Sequence, residues 1–138
     1  MKYLLDTNAW VDYLTGRFPT VVARIQKSTP DDLCLSSVVM AELRFGTENS
    51  QRKKFNHDLL DALAREVRCV DFDLDGARTY GELRTTLEKR GIPIGPYDMM
   101  IAAHALSLGL ILITDNEREF RRVKSLPVEN WRDRQKLS

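Results

Sequence analysis

The sequence predicts an α/β domain with a central parallel sheet of four to five strands and helices on both faces. Short apolar runs of strand length alternate along the chain with longer segments of helical periodicity, which is the pattern of a parallel sheet covered by helices. The 138 residues are the length of one ordinary domain, and no repeat, linker or low-complexity segment divides them. We therefore expect a single domain over residues 1–138.

Each strand is predicted from a short apolar run and each helix from its periodicity. The predicted strands are 2–5, 33–36, 67–70 and 110–114, with a weaker fifth strand near Pro127 and Val128. The predicted helices are about 8–14, 19–28, 37–47, 51–65, 74–90, 97–108 and a short one at 117–122. In parallel sheets of this kind, functional sites form beyond the carboxyl ends of the strands.

Composition excludes several classes of protein. The net charge of +1, from 21 basic and 20 acidic residues, argues against a broad basic surface. The longest apolar stretches contain Asp98, His104 or Asp115, and are too polar to span a membrane. We expect no secretory signal, because the residues before Asp6 contain one lysine and no long apolar run. Cys34 and Cys69 lie in apolar stretches, so we expect two buried, reduced thiols and a cytoplasmic protein.

The first acidic residue stands where the first strand ends. In the opening segment "KYLLDTN", Asp6 directly follows the apolar run. It can cap the next helix, or it can serve as a metal ligand. Asp115 occupies the equivalent place after the run 110–114. Acids at two strand ends are more than a single helix cap requires.

A glutamate lies on the apolar side of the third predicted helix. In "LSSVVMAELRFG", Ser36 or Ser37 can cap this helix. At about 100° per residue, Glu42 falls within an apolar stripe and Arg44 on the other side. The predicted stripe contains Val38, Val39, Ala41 and Phe45. Glu42 is therefore a site candidate, with a buried salt bridge or a position at the edge of the stripe as the structural alternatives.

Asp98 stands in the first turn of a helix that is apolar nearly all round. The helix begins near Pro96 in "GIPIGPYDMMIAAHALSLG". The dipole of the helix alone can explain an acid there, at about 0.3–1 kcal/mol. His104 lies 240° further round the helix, so we interpret it as a hydrogen-bonded core or edge histidine rather than as a partner of Asp98.

The last acidic segment is "LILITDNEREF", which contains Asp115, Asn116 and Glu119. Thr114 or Asn116 can cap the short helix, with Glu119 completing a capping box. If these acids meet Asp6, Glu42 and Asp98, each pair at about 5 Å repels by roughly 3 kcal/mol. We expect no lysine or arginine inside the cluster, so a cation is required. All-oxygen ligands favour Mg²⁺ or Mn²⁺, and no zinc spacing, nucleophile elbow or phosphate loop is present.

The motifs "LLDTN", "SSVVMAEL", "GIPIGPYDMMIAAHA" and "LILITDNEREF", in this order and spacing, resemble those of the PIN-domain ribonucleases. They are most similar to the VapC-type toxins of bacterial toxin–antitoxin pairs, and the resemblance continues to the closing "LPVENW". It implies a single PIN-like domain and a Mg²⁺- or Mn²⁺-dependent endoribonuclease acting on structured RNA, such as a transfer-RNA anticodon loop. The segment "GIPIGPYD" resembles members that act on initiator transfer RNA.

The resemblance also implies roles for individual residues. Asp6, Glu42 and Asp98 match the metal-site acids of the family, while Asp115 or Asn116 takes the fourth position, with Glu119 as a further contributor. The residues matching polar substrate-positioning sites are Thr7, Asn8, Thr114 and Glu119. Cations that could guide RNA to an acidic pocket are Arg17, Arg52, Lys53, Lys54, Lys89, Arg90, Arg121 and Arg122.

The resemblance further implies a homodimer and a VapB-type antitoxin whose helical tail occupies an apolar groove. We expect that groove on helices 37–47 and 51–65, lined by Val39, Leu43, Phe55, Leu59 and Leu63. Two alternatives remain at this stage: a catalytically degenerate PIN-like binding module, or another acidic-site Mg²⁺ phosphohydrolase. A haloacid-dehalogenase-type phosphatase requires an acid where Asn8 stands. A receiver domain expects a lysine near Thr114.

Overall fold

The computed structural model describes residues 1–132, and the structural statements below concern those residues. Five strands alternate with seven α-helices. The strands are β1 Tyr3–Leu5, β2 Leu33–Ser36, β3 Arg68–Val70, β4 Ile111–Ile113 and β5 Val128–Glu129. The helices are α1 Thr7–Thr15, α2 Pro19–Lys27, α3 Ser37–Glu48, α4 Lys53–Glu66, α5 Leu74–Lys89, α6 Pro96–Leu108 and α7 Glu117–Phe120. A 3-10 turn at Pro30–Asp32 precedes β2.

The strands form one parallel sheet in the order β3-β2-β1-β4-β5. β1 lies at the centre, where Leu4 pairs with Cys34 of β2 and with Leu112 of β4. The predicted fold class is confirmed, and the weak fifth strand is present beside β4. The helix predictions agree with the structure apart from small shifts of their ends, as where the segment predicted at 51–65 begins at Lys53.

The central strands are buried because helices cover both faces of the sheet. Leu4, Leu5 and Leu112 are completely buried. Trp10 and Phe120 are among the largest fully buried side chains. The prediction of two buried cysteines is wrong for Cys69, which is exposed, whereas Cys34 is buried. The reason is position: Cys69 lies on the edge strand β3, and Cys34 on the interior strand β2.

Helix α6 packs into the core on most of its circumference, as its continuous apolar sequence predicts. His104 on this helix is buried, and its Nδ1 shares a 2.8 Å hydrogen bond with Ser36 Oγ. The histidine is therefore a hydrogen-bonded core residue, as predicted. Across the described residues no helix combines the length and the apolarity needed to cross a membrane.

Candidate active site

Asp6 lies between the carboxyl end of β1 and the first turn of α1. Its Oδ1 accepts a 2.9 Å hydrogen bond from the Ala9 backbone N–H, so Asp6 is the N-cap of α1. Its own backbone N–H donates to Ile113 O at the end of β4, at 3.0 Å. The helix-cap interpretation of Asp6 is thus confirmed. It accounts for one carboxylate oxygen and does not exclude a second role for the other.

Asp6 is a buried carboxylate in the field of other carboxylates. Its exposed surface is 6%. Burial raises the pKa of Asp6 from 3.8 to about 7, against the opposing effect of hydrogen bonds from Thr114 and Ala9. The charges of Asp115 and Asp98 raise it further. Near neutral pH, Asp6 is therefore present in both its protonated and its charged form.

Asp98 lies in the first turn of α6, where the structure brings it towards the same group of acids. A helix N-terminus favours the charged form of an acid and should lower its pKa. Instead, burial together with the charges of Glu119 and Glu42 raises the pKa of Asp98 from 3.8 to about 6. The helix dipole alone therefore does not explain this residue.

Glu42 lies at the edge of the buried face of α3 rather than within it. The buried face is formed by Val38, Val39, Leu43 and Thr47. Ala41 and Phe45, which we placed in the apolar stripe, are exposed, and Phe45 retains 73% of its surface. The prediction of the stripe was wrong because it assigned every apolar side chain to the core. Thr7 Oγ1 donates to Glu42 Oε1 at 2.6 Å, and within residues 1–132 no cation pairs with Glu42.

The segment after β4 places two acids beside the site. Asp115 lies close enough to Asp6 to raise its pKa, and Glu119 does the same to Asp98. The backbone N–H of Asn116 donates to Thr114 Oγ1 at 3.0 Å, and its Nδ2 donates to Glu119 Oε2 at 2.6 Å. The predicted capping box is therefore wrong, because Glu119 accepts from the side-chain amide of Asn116 and not from its backbone.

An arginine joins this cluster, contrary to our prediction. Arg132 Nη1 donates to Asp115 Oδ2 at 3.0 Å, while Asn8 Nδ2 donates to Asp115 Oδ1 at 3.3 Å. Sequence reasoning missed Arg132 because it lies in a short polar tail. One signal was available. Asp12 lies three residues after the buried Ala9, on the inner face of α1, and a buried carboxylate there requires a cationic partner.

The donors at this edge of the sheet fit a hard divalent cation. All candidate ligands are oxygen atoms, and neighbouring acids add to the burial that raises the pKa values of Asp6 and Asp98. As the side chains stand, they bond to protein donors such as Thr7, Ala9 and Asn8. Across the described part of the chain, no three Asp, Glu, His or Cys side chains stand in an arrangement that would hold a metal ion.

An apolar groove opens next to Glu42, between α1, α3 and α4. Its volume is about 370 Å³, and its apolar lining consists of Val11, Leu14, Leu43, Leu59 and Leu60, with Thr7 and Glu42 at one end. The predicted groove is right for Leu43 and Leu59. It is wrong for Val39 and Leu63, which are buried in the core, and for Phe55, which is exposed but does not line the groove. Helix α1 contributes a wall that the sequence did not predict.

Several of the predicted RNA-contacting cations engage neighbouring side chains. Lys53 lies 3.4 Å from Glu48, Lys54 lies 2.9 Å from Asp58, and Arg121 lies 2.9 Å from Glu117. Arg17 and Arg52 lie over the rings of Phe18 and Phe55, and Arg122 donates to Pro93 O. Exposed pairs of this kind are weak and can exchange for phosphate contacts. A role for these cations in binding RNA stays a prediction.

The fold and the acidic edge of the sheet define a class of protein. A family model described as "PIN domain" matches residues 3–126, so the chain belongs to the PIN-domain family. It is 37% identical over 131 residues to the tRNA(fMet)-specific endonuclease VapC of Shigella flexneri, covering 95% of this chain and 98% of that protein. It is 36% identical over 132 residues to ribonuclease VapC2 of Rickettsia felis, with the same coverage. The predicted relationship to VapC-type ribonucleases is confirmed.

Solved structures of toxin–antitoxin complexes share this fold. The DNA-bound VapBC complex from Salmonella typhimurium contains a chain that matches with a TM-score of 0.89 and 34% identity, covering 95% of this chain and 98% of that one. VapBC-1 from nontypeable Haemophilus influenzae matches with a TM-score of 0.85 and 35% identity, again covering 95% and 98%. PIN-domain ribonucleases generally depend on a divalent metal, in agreement with the oxygen-rich donor set. The relatives support a ribonuclease and not a phosphatase or a receiver domain.

Proposed function

We propose that the protein is a metal-dependent endoribonuclease toxin that hydrolyses phosphodiester bonds in structured RNA. The observation that carries this proposal is a chain of neighbouring acids: Asp115 and Asp98 lie within electrostatic range of Asp6, which follows β1, and Glu119 lies within range of Asp98, which begins α6. Glu42 joins them through its effect on Asp98. The relatives named as VapC ribonucleases support the reaction class.

Asp6, Glu42 and Asp98 would hold Mg²⁺ or Mn²⁺, with a fourth ligand from the segment after β4. A divalent cation at such a site stabilises the negative charge that develops on a phosphodiester during in-line displacement. The chain's own residues prepare the site for this. The Ala9 N–H fixes Asp6, and the Thr7 hydroxyl fixes Glu42 at 2.6 Å. Glu42 is exposed enough to orient the attacking water or to bind the cation directly.

Asn8, Thr114 and Asn116 would position carboxylates or the substrate phosphate. Thr114 donates to Asp6, Asn8 donates to Asp115, and Asn116 donates to Glu119, so each acid has a neutral donor that orients it. Neutral donors preserve the negative charge that attracts a cation. They define the geometry without adding positive charge, whereas Arg132 offsets part of the charge of Asp115.

Initiator transfer RNA is the substrate class that we propose. Two relatives are named tRNA(fMet)-specific endonucleases, from Shigella flexneri and Salmonella typhimurium, at 37% and 34% identity. RNA must approach an acidic cleft, so cations around its rim have to offset the repulsion. Arg17 after α1, with Arg52 and Lys53 at the start of α4, could serve that purpose by exchanging their present contacts for phosphate.

We further propose a homodimer in the cytoplasm, controlled by a VapB-type antitoxin. The solved complexes named VapBC support such a partner. The groove between α1, α3 and α4 fits an amphipathic helix, because its walls are apolar and its end reaches Glu42. An arginine of the antitoxin could then pair with Glu42, Asp6 and Asp98 in place of the cation.

A cleavage assay with chelation tests the proposed activity. The purified protein is incubated with initiator transfer RNA, with an elongator transfer RNA for comparison, and with Mg²⁺ or Mn²⁺. We expect site-specific cleavage of the initiator that stops on addition of excess EDTA and returns when Mn²⁺ is restored. Cleavage that continues in excess chelator would disprove the metal mechanism, and equal cleavage of both RNAs would disprove the substrate class.

A further inference from the structure

The guanidinium of Arg132 bridges two carboxylates near the acidic edge of the sheet. Its Nε donates to Asp12 Oδ2 at 2.7 Å, and its Nη2 donates to Asp12 Oδ1 at 3.0 Å. Its Nη1 donates to Asp115 Oδ2 at 3.0 Å. Three donors in a planar fork are a property of arginine that lysine does not share. Arg132 also lies beyond residues 3–126, which the PIN-domain model matches.

Asp12 anchors this arginine to helix α1. The side chain of Asp12 is only 4% exposed, and a buried, ionised carboxylate needs a paired charge. Arg132 supplies it with bidentate geometry. The guanidinium also lies over the ring of Phe18, at 4.1 Å from its centre. Arg132 is therefore fixed by the side chains of Asp12 and Phe18 where it meets Asp115.

The other end of the bridge holds a carboxylate that acts on Asp6. Asp115 accepts from Asn8 through Oδ1 and from Arg132 through Oδ2, so each of its oxygens has a donor of known position. Its charge contributes to the raised pKa of Asp6. The direction in which Asp115 faces is set by α1 and by the C-terminal segment together, and not by its own strand alone.

We propose that Arg132 is a positioning residue of the acidic site: clamped by Asp12, it holds Asp115 beside Asp6 as the fourth carboxylate. This inference rests on the proposed function, and it assigns the fourth position to Asp115. Asn116 and Glu119 are bonded to each other at 2.6 Å and receive no hydrogen bond from Arg132.

A positioning role and a purely electrostatic role of Arg132 predict opposite changes in the affinity for a divalent cation when Arg132 is removed. If the arginine acted only through its positive charge, its loss would leave the site more negative and would tighten the binding of a divalent cation. If it acts by holding Asp115, its loss leaves that carboxylate less firmly positioned and weakens binding. Outer-shell partners of metal ligands commonly change affinity by about 10–100-fold.

The experiment measures Mn²⁺ binding to the full-length protein without RNA, by electron paramagnetic resonance of the free ion. We expect Arg132→Ala to weaken binding about tenfold. Arg132→Lys keeps the charge but cannot contact both carboxylates in the same way, so it should also weaken binding. Asp12→Asn removes the anchor and should act in the same direction.

Arg24→Ala is the matched control. Arg24 lies over the ring of Trp131 at 4.6 Å and 3.6 Å from Glu129 Oε1, so it anchors the same C-terminal segment without contacting Asp12 or Asp115. Its removal should change the Mn²⁺ affinity by less than about twofold, because exposed pairs contribute little. A double-mutant cycle adds specificity. In an Asp115→Asn background, Arg132→Ala should weaken binding by less than about twofold further, because the two residues act as one unit.

Three results would overturn the proposal: unchanged or tighter Mn²⁺ binding in Arg132→Ala, equal weakening in Arg24→Ala, or fully additive effects of Arg132→Ala and Asp115→Asn. Thermal unfolding is recorded for every variant, and if Arg132→Ala does not fold, Arg132→Lys and Asp12→Asn decide by the same criteria. A wild type that binds no Mn²⁺ and cleaves no RNA refutes the proposed function and this inference together. A wild type that binds Mn²⁺ while the arginine variants bind it equally refutes this inference alone.

Discussion

Carboxylates on the outer surface of α3 and α4 differ from those at the edge of the sheet in the direction in which their pKa values are shifted. Glu48 is bonded to His57 and Lys53, and these hydrogen bonds lower its pKa. Asp61 is bonded to Arg44 at 2.6 Å, which lowers its pKa in the same way. Asp6 and Asp98 show the opposite, because burial and neighbouring acids raise the pKa of both.

Carboxylate side chains therefore have two roles in this domain: they form ion pairs on the helical surface and a candidate cation site at the edge of the sheet. On the helical surface, Glu48 and Asp61 each have a cation within reach, and these pairs join α3 to α4 at little cost in desolvation. At the edge of the sheet, Arg132 is the cation that the described residues bring to the acids, and it is shared between Asp12 and Asp115. Within residues 1–132, Asp6 and Asp98 form no ion pair of their own, which is a condition that favours binding of a divalent cation.

The largest expected effect tests this difference in catalysis. Asp6→Asn keeps the size of the side chain and a good helix cap but removes its charge. We expect the rate of RNA cleavage to fall at least about a hundredfold. Asp61→Asn, the matched change on the surface, should alter the rate by less than about twofold. Steady-state cleavage rates measure both, and a similar loss in the two variants would remove the distinction between the regions.

The next effect concerns pH and metal affinity. The pKa values of about 7 for Asp6 and about 6 for Asp98 mean that both acids take up protons as the pH falls from 8 to 5.5. A cation must displace these protons, so we expect Mn²⁺ affinity to fall by about 10–100-fold over that range. Asp98→Asn should make the dependence shallower. Titrations at constant ionic strength check this, and an affinity independent of pH would contradict the raised pKa values.

An arginine of the antitoxin would form ion pairs with the acids at the edge of the sheet, as the cations of α3 and α4 do with the acids on those helices. Antitoxin and Mg²⁺ would then compete for Glu42, Asp6 and Asp98. We expect the apparent antitoxin affinity to weaken by about tenfold when the Mg²⁺ concentration is raised from zero to about ten times the dissociation constant of Mg²⁺. Titrations must hold ionic strength constant. An affinity unaffected by Mg²⁺, with cleavage still inhibited, would show that the antitoxin only blocks access of RNA.

The smallest expected effect concerns stability without metal. The folded-state pKa of Asp98 is raised, so the folded protein binds its proton more tightly than the unfolded chain does. This contribution to stability is fully present below about pH 4 and is lost as the pH rises through about 6. At pH 8, Asp98→Asn should therefore melt at the same temperature as the wild type or up to about 5 °C higher. Glu42→Gln removes a charge that acts on Asp98, so it should also leave the melting temperature unchanged or slightly higher.

Mg²⁺ should raise the melting temperature of the wild type more than that of either variant. Differential scanning calorimetry with and without Mg²⁺ measures both comparisons. Lys54→Ala, which breaks an exposed pair with Asp58, is the control and should shift the melting temperature by less than about 2 °C. A fall of several degrees for Asp98→Asn and Glu42→Gln without metal would instead indicate that these acids stabilise the fold.

Local patterns in the sequence were sufficient for the fold. The apolar runs 2–5 and 110–114 contain β1 and β4. Asp6 directly follows the first run, and Asp115 directly follows the second. Because parallel strands place their carboxyl ends at one edge, these two acids could be assigned to one site before any coordinates were known. The capping of α1 by Asp6 likewise depends only on neighbours within one turn.

Tertiary structure decided which side of each helix faces the core and which distant residues meet. Phe45 is apolar yet exposed, because the face of α3 that packs against the core is formed by Val38, Val39, Leu43 and Thr47 and does not include it. Arg132 reaches Asp12 across 120 positions of sequence, a contact that no periodicity encodes. Strand and helix patterns follow from local geometry, which repeats every two or about 3.6 residues. The contacts of a single long side chain depend instead on where the whole fold brings it, and so the arginine at the acidic site appeared only in the structure.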